Sequence, residues 1–397
     1  MRGTTAMAWV ALLSSACGGS TSGGAPADGG AASGGSGGSS ASGGTGALGG
    51  TGATGAVGGS GGSGGSGATG GSGATGGSGG GNPGVGQPPP PDPNAPPASG
   101  TAPTTLVIRR IFLGDTNPQG QPDAQAWRKY GLNVDGLVST KASTNHCMPQ
   151  KGATKSSIQT DGDNGIDNSF GSNLVKIIAT LTPNPSDELN TTLDAGAGTW
   201  LFHLQNLGNG AAQNGVKAAL FGAAPLGSAP SWSPTEVRPV TFESVSGGSI
   251  TSPLNAYPQS YVVGGTWVGA PATAGKLALA TGLGAATIRH VRAVATISGT
   301  GPSATATGVI SGVIGTEEYI TEFAKVAGQF SLELCNGATF ESVAQAIRAA
   351  SDIMQDGSNG DPSKTCDGIS IGVGFEATAA MLGSVAPAVP PVPDPCK

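Results

Sequence analysis

The sequence predicts a mainly β protein: an antiparallel β-sandwich or jelly-roll-like body with two late α-helices, preceded by a disordered N-terminal linker. Three observations carry this prediction. Beyond residue 100, short apolar or alternating segments are separated by turns rich in Gly, Pro, Asn and Ser, which is typical of a sandwich. Two later segments have apolar residues at helical spacing. Before residue 100, the chain has very few side chains that it could bury.

The strand predictions rest on apolar runs and on alternation. Leu106–Leu113 is an apolar run that ends at a Gly-Asp pair. Trp200–Leu207 alternates, with its large apolar residues on one face, as a half-buried antiparallel strand does. The other predicted strands are Lys176–Thr182, Ala218–Gly222, Val240–Val245, Ser260–Val268, Lys276–Ala280, Thr287–Ile297, Ala304–Ile314 and Gly368–Phe375.

Two segments late in the chain have helical periodicity. The first has Thr316 as its N-cap and ends at Gly328, with Glu317 and Glu318 in the first turn, where the helix dipole favours acids. The second runs from Thr339 to Gly357. Its apolar residues recur at helical spacing and are expected to face the core.

The charge balance excludes one class of partner. The chain has 397 residues, with 18 Lys and Arg against 24 Asp and Glu, a formal net charge of −6. A protein that binds nucleic acid usually presents a basic surface, so nucleic acid is not an expected partner. Residues 101–397 form a body that is long enough to bury a real core.

The N-terminus has the layout of a secretory signal. Arg2 is followed by the apolar run Ala6–Leu13 and by the small residues Ser14-Ser15-Ala16. The next residue is Cys17, and this arrangement resembles the lipobox of bacterial lipoproteins, although Ser14 stands where that family prefers Leu. The resemblance implies that residues 1–16 are removed and that Cys17 is lipidated and anchors the protein to a membrane. Ordinary signal-peptidase cleavage after Ala16 is the alternative.

The segment from Cys17 to residue 100 is predicted to be a disordered tether. Residues 18–100 contain 35 of the 72 glycines and only two charged side chains, Asp28 and Asp92. Such a segment cannot bury enough apolar surface to offset the entropy of ordering. Its proline-rich end is expected to be stiffer. The overall plan, a lipidated cysteine and a Gly/Ser-rich linker before a body, resembles that of bacterial lipoproteins.

The remaining cysteines, Cys147, Cys335, Cys366 and Cys396, are expected to form two disulfides in an exported body. Three pairings are possible. We favour Cys335–Cys366, because these residues flank the second helix, together with Cys147–Cys396, which would tie down the tail. Zinc binding is the rival interpretation, although the chain has no C-x-x-C pair.

One loop has the composition of a calcium site. Asp161, Asp163, Asp167 and Asn168 place oxygen ligands at short intervals, with glycines that allow a tight turn. The pattern resembles the D-x-D-x-G-x-D core of calcium loops, but Ser172 stands where an EF-hand requires a bidentate Glu. The alternative is a turn in which these side chains bond to the backbone.

No catalytic group is assigned from the sequence. Gly368-Ile-Ser370-Ile-Gly372 matches G-x-S-x-G, but no histidine follows Ser370. None of His146, His203 and His290 lies in a metalloprotease motif. Acids that meet only in the folded protein would be invisible at this stage, and the scattered glutamates are Glu188, Glu236, Glu243 and Glu376.

We therefore expect an exported protein that is lipid-anchored to the bacterial cell envelope, at the outer membrane or the cell surface, with a body that binds a glycan or a protein. A secreted carbohydrate-active hydrolase and a structural envelope protein are the alternatives. Exposed aromatic side chains would favour sugar binding, whereas buried ones belong to the core. The aromatic residues in or near loops are Trp127, Tyr130, Trp232, Tyr257, Tyr261 and Trp267.

Overall fold

Eleven strands in the described part of the chain belong to one hydrogen-bonded sheet. The computed structural model describes residues 86–150, 158–269, 276–281, 284–328, 331–388 and 395–397. The predicted mainly β class is confirmed. The strands are β1 (Thr104–Phe112), β2 (Thr199–Gln205), β3 (Gln213–Ala223), β4 (Val237–Val240), β5 (Ala256–Val263), β6 (Thr266–Gly269), β7 (Lys276–Thr281), β8 (Gly284–Ser298), β9 (Thr305–Gly315), β10 (Gly368–Ala379) and β11 (Met381–Val385).

Eight of these strands form a closed antiparallel circuit. Its order is β1-β2-β3-β5-β6-β8-β9-β10, and β10 pairs back with β1. β3 makes the closure, because Gln213 near its start pairs with Val262 of β5, whereas Ala223 at its end pairs with Val240 of β4. β4 and β11 therefore extend outward from β3, and β7 pairs with β8 alone. Closure satisfies the backbone groups that the edges of an open sheet would expose.

Large side chains fill the inside of the closed sheet. Phe202 of β2 lies with its ring centroid 5.4 Å from Trp267 of β6 and 5.4 Å from Phe375 of β10. Tyr257 of β5 packs edge-on against Trp267 at 5.7 Å. These strands lie on different sides of the circuit, so the aromatic cluster bridges its interior and forms the centre of the main core.

The strands β1, β2 and β3 are also buried on their outer faces. Val107, Leu201 and Phe221, one from each strand, pack with Val240 and Val245 in a second apolar cluster. The predicted alternation of β2 is present, since its inward side chains belong to the main core. However, Leu201 on the other face has 0% exposure, so the first half of the strand is buried on both faces. The second half is half-buried as predicted, because His203 is partly exposed and Gln205 is exposed.

Four α-helices accompany the sheet in the described residues: α1 (Val175–Leu181), α2 (Pro185–Asp194), α3 (Thr316–Ala327) and α4 (Gly337–Ala349). The two predicted late helices are α3 and α4. The ring of Phe323 on α3 stacks on that of Phe340 on α4, with centroids 5.9 Å apart. No helix in the described residues has both the length and the apolar character needed to cross a membrane.

The predicted second helix was too long. It was expected to reach Gly357, but α4 ends at Ala349. The reason is that the next residues pair with the start of β10. The N–H of Asp352 donates to the Gly368 carbonyl at 3.1 Å, and the N–H of Gly368 donates to the Ile353 carbonyl at 2.9 Å. The chain after α4 thus becomes a loop held against the sheet.

Three strand predictions were wrong in their type or their limits. The apolar run Lys176–Thr182 lies almost entirely in α1, where Val175 and Ile178 face the core at helical spacing. Ser260–Val268 is not one strand but parts of β5 and β6, which are joined by Gly264 and Gly265 with φ of 57° and 77°. The strand that was expected over Val240–Val245 ends at Val240.

The end of the predicted linker lies against the body. The hydroxyl of Tyr261 on β5 donates to the Pro89 carbonyl at 2.7 Å. Asn214 of β3 pairs with Pro97, and its side chain donates to the Asp92 carbonyl at 2.8 Å. Residues 86–100 therefore pack on the folded unit. The predicted leader, the lipidation site Cys17 and the linker up to residue 85 lie outside the described residues.

The four body cysteines form two disulfides, but the favoured pairing was wrong. Cys147 is bonded to Cys366 and Cys335 to Cys396, with Cα atoms 5.2 and 5.3 Å apart. Cys147 meets Cys366 because the neighbouring residue Met148 bridges with the segment before β10, donating to the Lys364 carbonyl at 2.8 Å. Because all four sulfurs are in disulfides, they do not supply the thiolates that the zinc alternative requires.

Candidate functional site

Three loops meet at the end of the closed sheet where β9 ends and β10 begins. They span residues 131–139, 158–168 and 350–367. Asn359 in the third loop is buried, and its side-chain oxygen accepts a hydrogen bond from the N–H of Cys147 at 2.7 Å. Its amide donates to the carboxylate of Asp135 in the first loop at 2.8 Å. One buried amide therefore joins three separate parts of the chain.

Asn168 fixes the second loop to β10. Its amide nitrogen lies 2.9 to 3.1 Å from the carbonyl oxygens of Trp127, Tyr130 and Gly372, and because it has two hydrogens, one of them is shared between two carbonyls. Its oxygen accepts from the N–H groups of Gly171 and Gly372 at 2.9 and 3.1 Å. Asn168 is 2% exposed, so these five bonds are made inside the protein. They account for the position of the adjacent acidic residues.

A pocket opens between these loops. Its polar side chains include Ser139, His146, Asp161, Ser351 and Asp352, and its apolar wall includes Pro149, Ile158 and the Cys147–Cys366 disulfide. The enclosed part of the pocket has a volume of about 10 Å³, and the figure rises to about 280 Å³ only when the open space around it is included. An enclosed volume of roughly 10–15 Å³ holds about one water molecule. The pocket therefore admits one small head group and leaves the rest of a larger ligand outside.

Asp352 is held on the floor of this pocket by β10. Its carboxylate accepts from the N–H of Ser370 at 2.8 Å and from the hydroxyl of Ser370 at 2.5 Å. Burial is the main cause that raises the pKa of Asp352 to about 7, and the charges of Asp161 and Asp135 add to it. The two bonds from Ser370 oppose this rise, because they favour the ionised form.

Asp161 faces the same pocket from the second loop. Its carboxylate accepts from the N–H of Ser139 at 2.5 Å. Burial raises the pKa of Asp161 to about 6, and the charge of Asp135 contributes in the same direction. The Ser139 N–H and His146 oppose the rise. Two carboxyl groups with raised pKa values therefore share one small pocket, which is a common property of binding and catalytic sites.

Asp167 lies behind the pocket. Its carboxylate accepts from the N–H groups of Val134 at 2.6 Å and Asp135 at 3.2 Å. Burial, followed by the charges of Asp135, Asp161 and Asp352, raises its pKa well above the ordinary value. Arg292 of β8 is the cation that interacts with Asp167, and burial lowers the pKa of this guanidinium.

His146 contributes an unused acceptor to the pocket. The residue is 6% exposed, and its Nδ1 lies 2.9 Å from the Cys147 carbonyl oxygen. A carbonyl only accepts, so this contact assigns a hydrogen to Nδ1, and in the neutral tautomer Nε2 then carries the lone pair. The Nε2 atom is buried and has no hydrogen-bond partner among the residues that the structure describes.

The four residues of the predicted calcium loop have separate partners. Asp163 forms an ion pair with Arg128 at 2.9 Å, while Asp161 faces the pocket and Asp167 and Asn168 hold backbone groups. In the described ranges, no group of three or more His, Cys, Asp or Glu side chains is placed to hold a metal ion. The tight turn is present at residues 163–165. Calcium binding at this loop remains a prediction.

The other residues considered from the sequence lie apart from the pocket or inside the fold. Ser370 has 0% exposure and lies in β10, so it is not at the strand-to-helix turn of a nucleophile elbow. His203 bonds to Thr105 at 2.9 Å, and His290 lies at an irregularity of β8. Glu236 and Glu376 pair with arginines. Trp127, Tyr130, Tyr257 and Trp267 are buried, whereas Trp232 and Tyr261 are partly exposed.

Comparisons with known proteins identify no relative. No protein-family model, no curated protein and no solved structure matches this chain. The grounds for a function are therefore the sequence and the geometry of the pocket.

Sequence reasoning found Asp161 and Asp167 but not their partners. Asp135 precedes most of the strands in the sequence, whereas Asp352 follows most of them. The two residues are therefore far apart along the chain, and no local spacing connects them. The signal that would have connected the loops is the correct disulfide, because a bond from Cys147 to Cys366 brings His146 close to the loop that contains Asp352.

Proposed function

We propose that this protein is exported and lipid-anchored to the bacterial cell envelope, and that its β-rich body binds a group of a glycan or a protein without catalysis. The observation that carries the binding function is the pocket between Asp161, Asp352 and His146. The two carboxylates are fixed by hydrogen bonds to other segments, whereas the His146 Nε2 lacks a partner among the described residues. A preorganised pocket with an unused acceptor is suited to a ligand that donates hydrogen bonds.

Two features support export and anchoring. The N-terminal residues have the signal layout that ends at Cys17. The four body cysteines are paired, and disulfides persist mainly in oxidising compartments outside the cytosol. Together they favour a body that faces the outside of the cell and a lipidated cysteine that anchors it.

A labelling experiment tests the anchor. The full chain and its Cys17→Ser variant are expressed in a bacterium that is fed an alkyne-tagged fatty acid, and the membranes are separated from soluble fractions. We expect a labelled protein in the membrane fraction and an unlabelled variant outside it. A wild-type protein that is unlabelled and cytosolic would refute the anchor without bearing on the pocket.

A binding and turnover screen tests the role of the body. The mature chain is applied to glycan and peptide arrays and is incubated with chromogenic glycosides and esters. Saturable binding that is weakened by Asp352→Asn, with no turnover, supports the proposal. Binding that is unchanged in Asp352→Asn would contradict the assignment of this pocket as the binding site.

One observation favours a second candidate, a secreted carbohydrate-active hydrolase. Asp161 and Asp352 share a pocket, and burial raises the pKa of both carboxyls, as a general acid requires. In that case the screen would detect glycoside turnover, and both Asp161→Asn and Asp352→Asn would abolish it. Asp361→Asn is the matched control, because Asp361 is a partly exposed acid in the same loop as Asp352 and bonds to Ser363 at 2.6 and 2.9 Å.

A further inference from the structure

The pocket is lined by a residue with a buried ring nitrogen that has no hydrogen-bond partner among the described residues. His146 is 6% exposed, its Nδ1 is engaged by the Cys147 carbonyl, and its Nε2 has no partner in the described residues. A buried acceptor that loses its water and gains no donor destabilises the folded state. A ligand that brings an N–H or O–H group to Nε2 would remove this destabilisation.

The charge around the pocket decides between a neutral donor and a cation. The carboxyl groups of Asp161 and Asp352 line the pocket, and those of Asp135 and Asp167 lie close enough to interact with them. Two basic residues nearby are paired outside the pocket. Arg292 interacts with Asp167 behind it, and Arg128 pairs with Asp163 at 2.9 Å. A third, Lys141, donates to the carbonyl of the lining residue Ile158 at 2.5 Å. A positively charged ligand therefore gains electrostatic energy that a neutral hydroxyl does not.

The arrangement of the acceptors favours an ammonium group over a metal ion. The described residues do not contain three His, Cys, Asp or Glu side chains that converge on a metal-sized centre. An ammonium group carries three N–H donors on a larger radius, which matches separate acceptors on different walls. The apolar wall of Pro149, Ile158 and the Cys147–Cys366 disulfide is suited to a methylene chain.

We propose that this pocket binds a primary ammonium group on an alkyl chain, with the ammonium between Asp161, Asp352 and Nε2 of His146. The proposal rests on the proposed binding function but not on export or on the lipid anchor. A lysine side chain and a free diamine carry this chemistry, and an amino sugar carries the ammonium without the methylene chain. The enclosed volume, about 10 Å³, admits the ammonium group alone and leaves the remainder of such a ligand outside the pocket.

Isothermal titration of the mature chain tests the proposal with four probes. These are 1,5-diaminopentane, a peptide with one central lysine, glucosamine and 1,5-pentanediol. We expect saturable binding of the diamine, and binding of the peptide if a protein is the source of the ammonium. Glucosamine should bind at least about tenfold more weakly, because it lacks the methylene chain, and the diol should not bind.

Three variants locate the binding. Asp161→Asn and His146→Gln should each weaken diamine binding by about tenfold or more, because each removes an acceptor or its charge. Asp361→Asn should leave binding unchanged, because this partly exposed acid bonds to Ser363 and does not line the pocket. Circular dichroism unfolding verifies that each variant is folded. If His146→Gln does not fold, Asp161→Asn alone decides the test.

Several results would overturn the proposal. Absence of diamine binding, equal binding of the diol, or equal losses in Asp161→Asn and Asp361→Asn would each contradict it. Binding of neutral glycans that depends on Asp352, without diamine binding, would contradict the ammonium ligand and leave the proposed binding function intact. Loss of all binding, glycan, peptide and diamine alike, would refute both.

Discussion

The hydroxyl of Ser370 on β10 donates a 2.5 Å hydrogen bond to the carboxylate of Asp352, and the Ser370 N–H donates a second at 2.8 Å. The same hydroxyl accepts from the N–H of Ser169, at the start of the helical segment before α1, at 2.9 Å. One serine thus positions the acid of the pocket and joins the second and third loops to the sheet.

Ser370→Ala should destabilise the protein more at high pH than at low pH. The hydroxyl stabilises the ionised form of Asp352, so its removal raises the pKa of this carboxyl further. We expect a loss of about 1–3 kcal/mol in the free energy of unfolding at pH 8 and a smaller loss at pH 5. Urea denaturation at both pH values checks this. Ser363→Ala is the control, because it removes an exposed hydroxyl that donates to the carboxylate of Asp361. An equal loss of stability at both pH values in Ser370→Ala would contradict the expectation.

Stability should fall as the pH rises from 4 to 8. The pKa of Asp352 is raised from 3.8 to about 7 and that of Asp161 from 3.8 to about 6, so in this interval the folded state binds more protons than the unfolded state. The stabilising contribution is complete below the unfolded pKa and is lost as the pH rises through the folded pKa. For Asp352 the change is on the order of 3 kcal/mol.

Urea denaturation across this pH range measures the effect. Asp352→Asn should flatten the profile, whereas Asp361→Asn should keep the slope of the wild type. The charged and titratable groups that interact with one another at this site are Asp135, Asp161, Asp167, Asp352, His146 and Arg292. A wild-type stability that increases with pH over this range would contradict the buried state of the two pocket carboxyls.

Asn168→Asp should be severely destabilising, although it changes one atom. The Asn168 amide nitrogen donates to three backbone carbonyls. A carboxylate oxygen in its place would face those carbonyls without a hydrogen, inside the protein. We expect a loss of about 3 kcal/mol or more in the free energy of unfolding, measured by urea denaturation. Asn145→Asp, at an exposed position, is the control, and similar effects in both variants would contradict the role of Asn168.

The two disulfides should differ in their effect on the pocket. Cys147 and Cys366 are 219 residues apart, and Cys335 and Cys396 are 61 residues apart. Removal of either pair by a double Cys→Ala change should cost about 2–5 kcal/mol, measured by thermal unfolding. Only the Cys147/Cys366 change should also weaken ligand binding, because this bond lines the pocket. Intact binding in that double variant would contradict its role in shaping the site.

The local parts of the fold were predictable from the sequence. The periodicity of Tyr319 and Phe323 identified α3, and the alternation around Phe202 identified β2. The failures have physical causes. The β-branched residues of α1 suggested a strand, but Ile178 is buried through helical spacing. The closure of β3 onto β5 is a long-range pairing that follows no local pattern.

The acid residues of the pocket could be predicted only in part. Asp161 and Asp167 were conspicuous because they lie close together in a Gly-rich segment. Asp352 was hidden, because its segment continues the apolar spacing of α4 and was therefore assigned to a helix. Pairing of Ile353 with Gly368 ends that helix, and such pairing depends on the tertiary structure.

A peptide mass map of the protein from its native membrane, digested without reduction, tests the central claim most directly. The account predicts an N-terminal peptide that begins at an acylated Cys17, together with linked peptides for Cys147–Cys366 and Cys335–Cys396. A peptide that retains residues 1–16 unmodified, with free thiols at the four body cysteines, would contradict it.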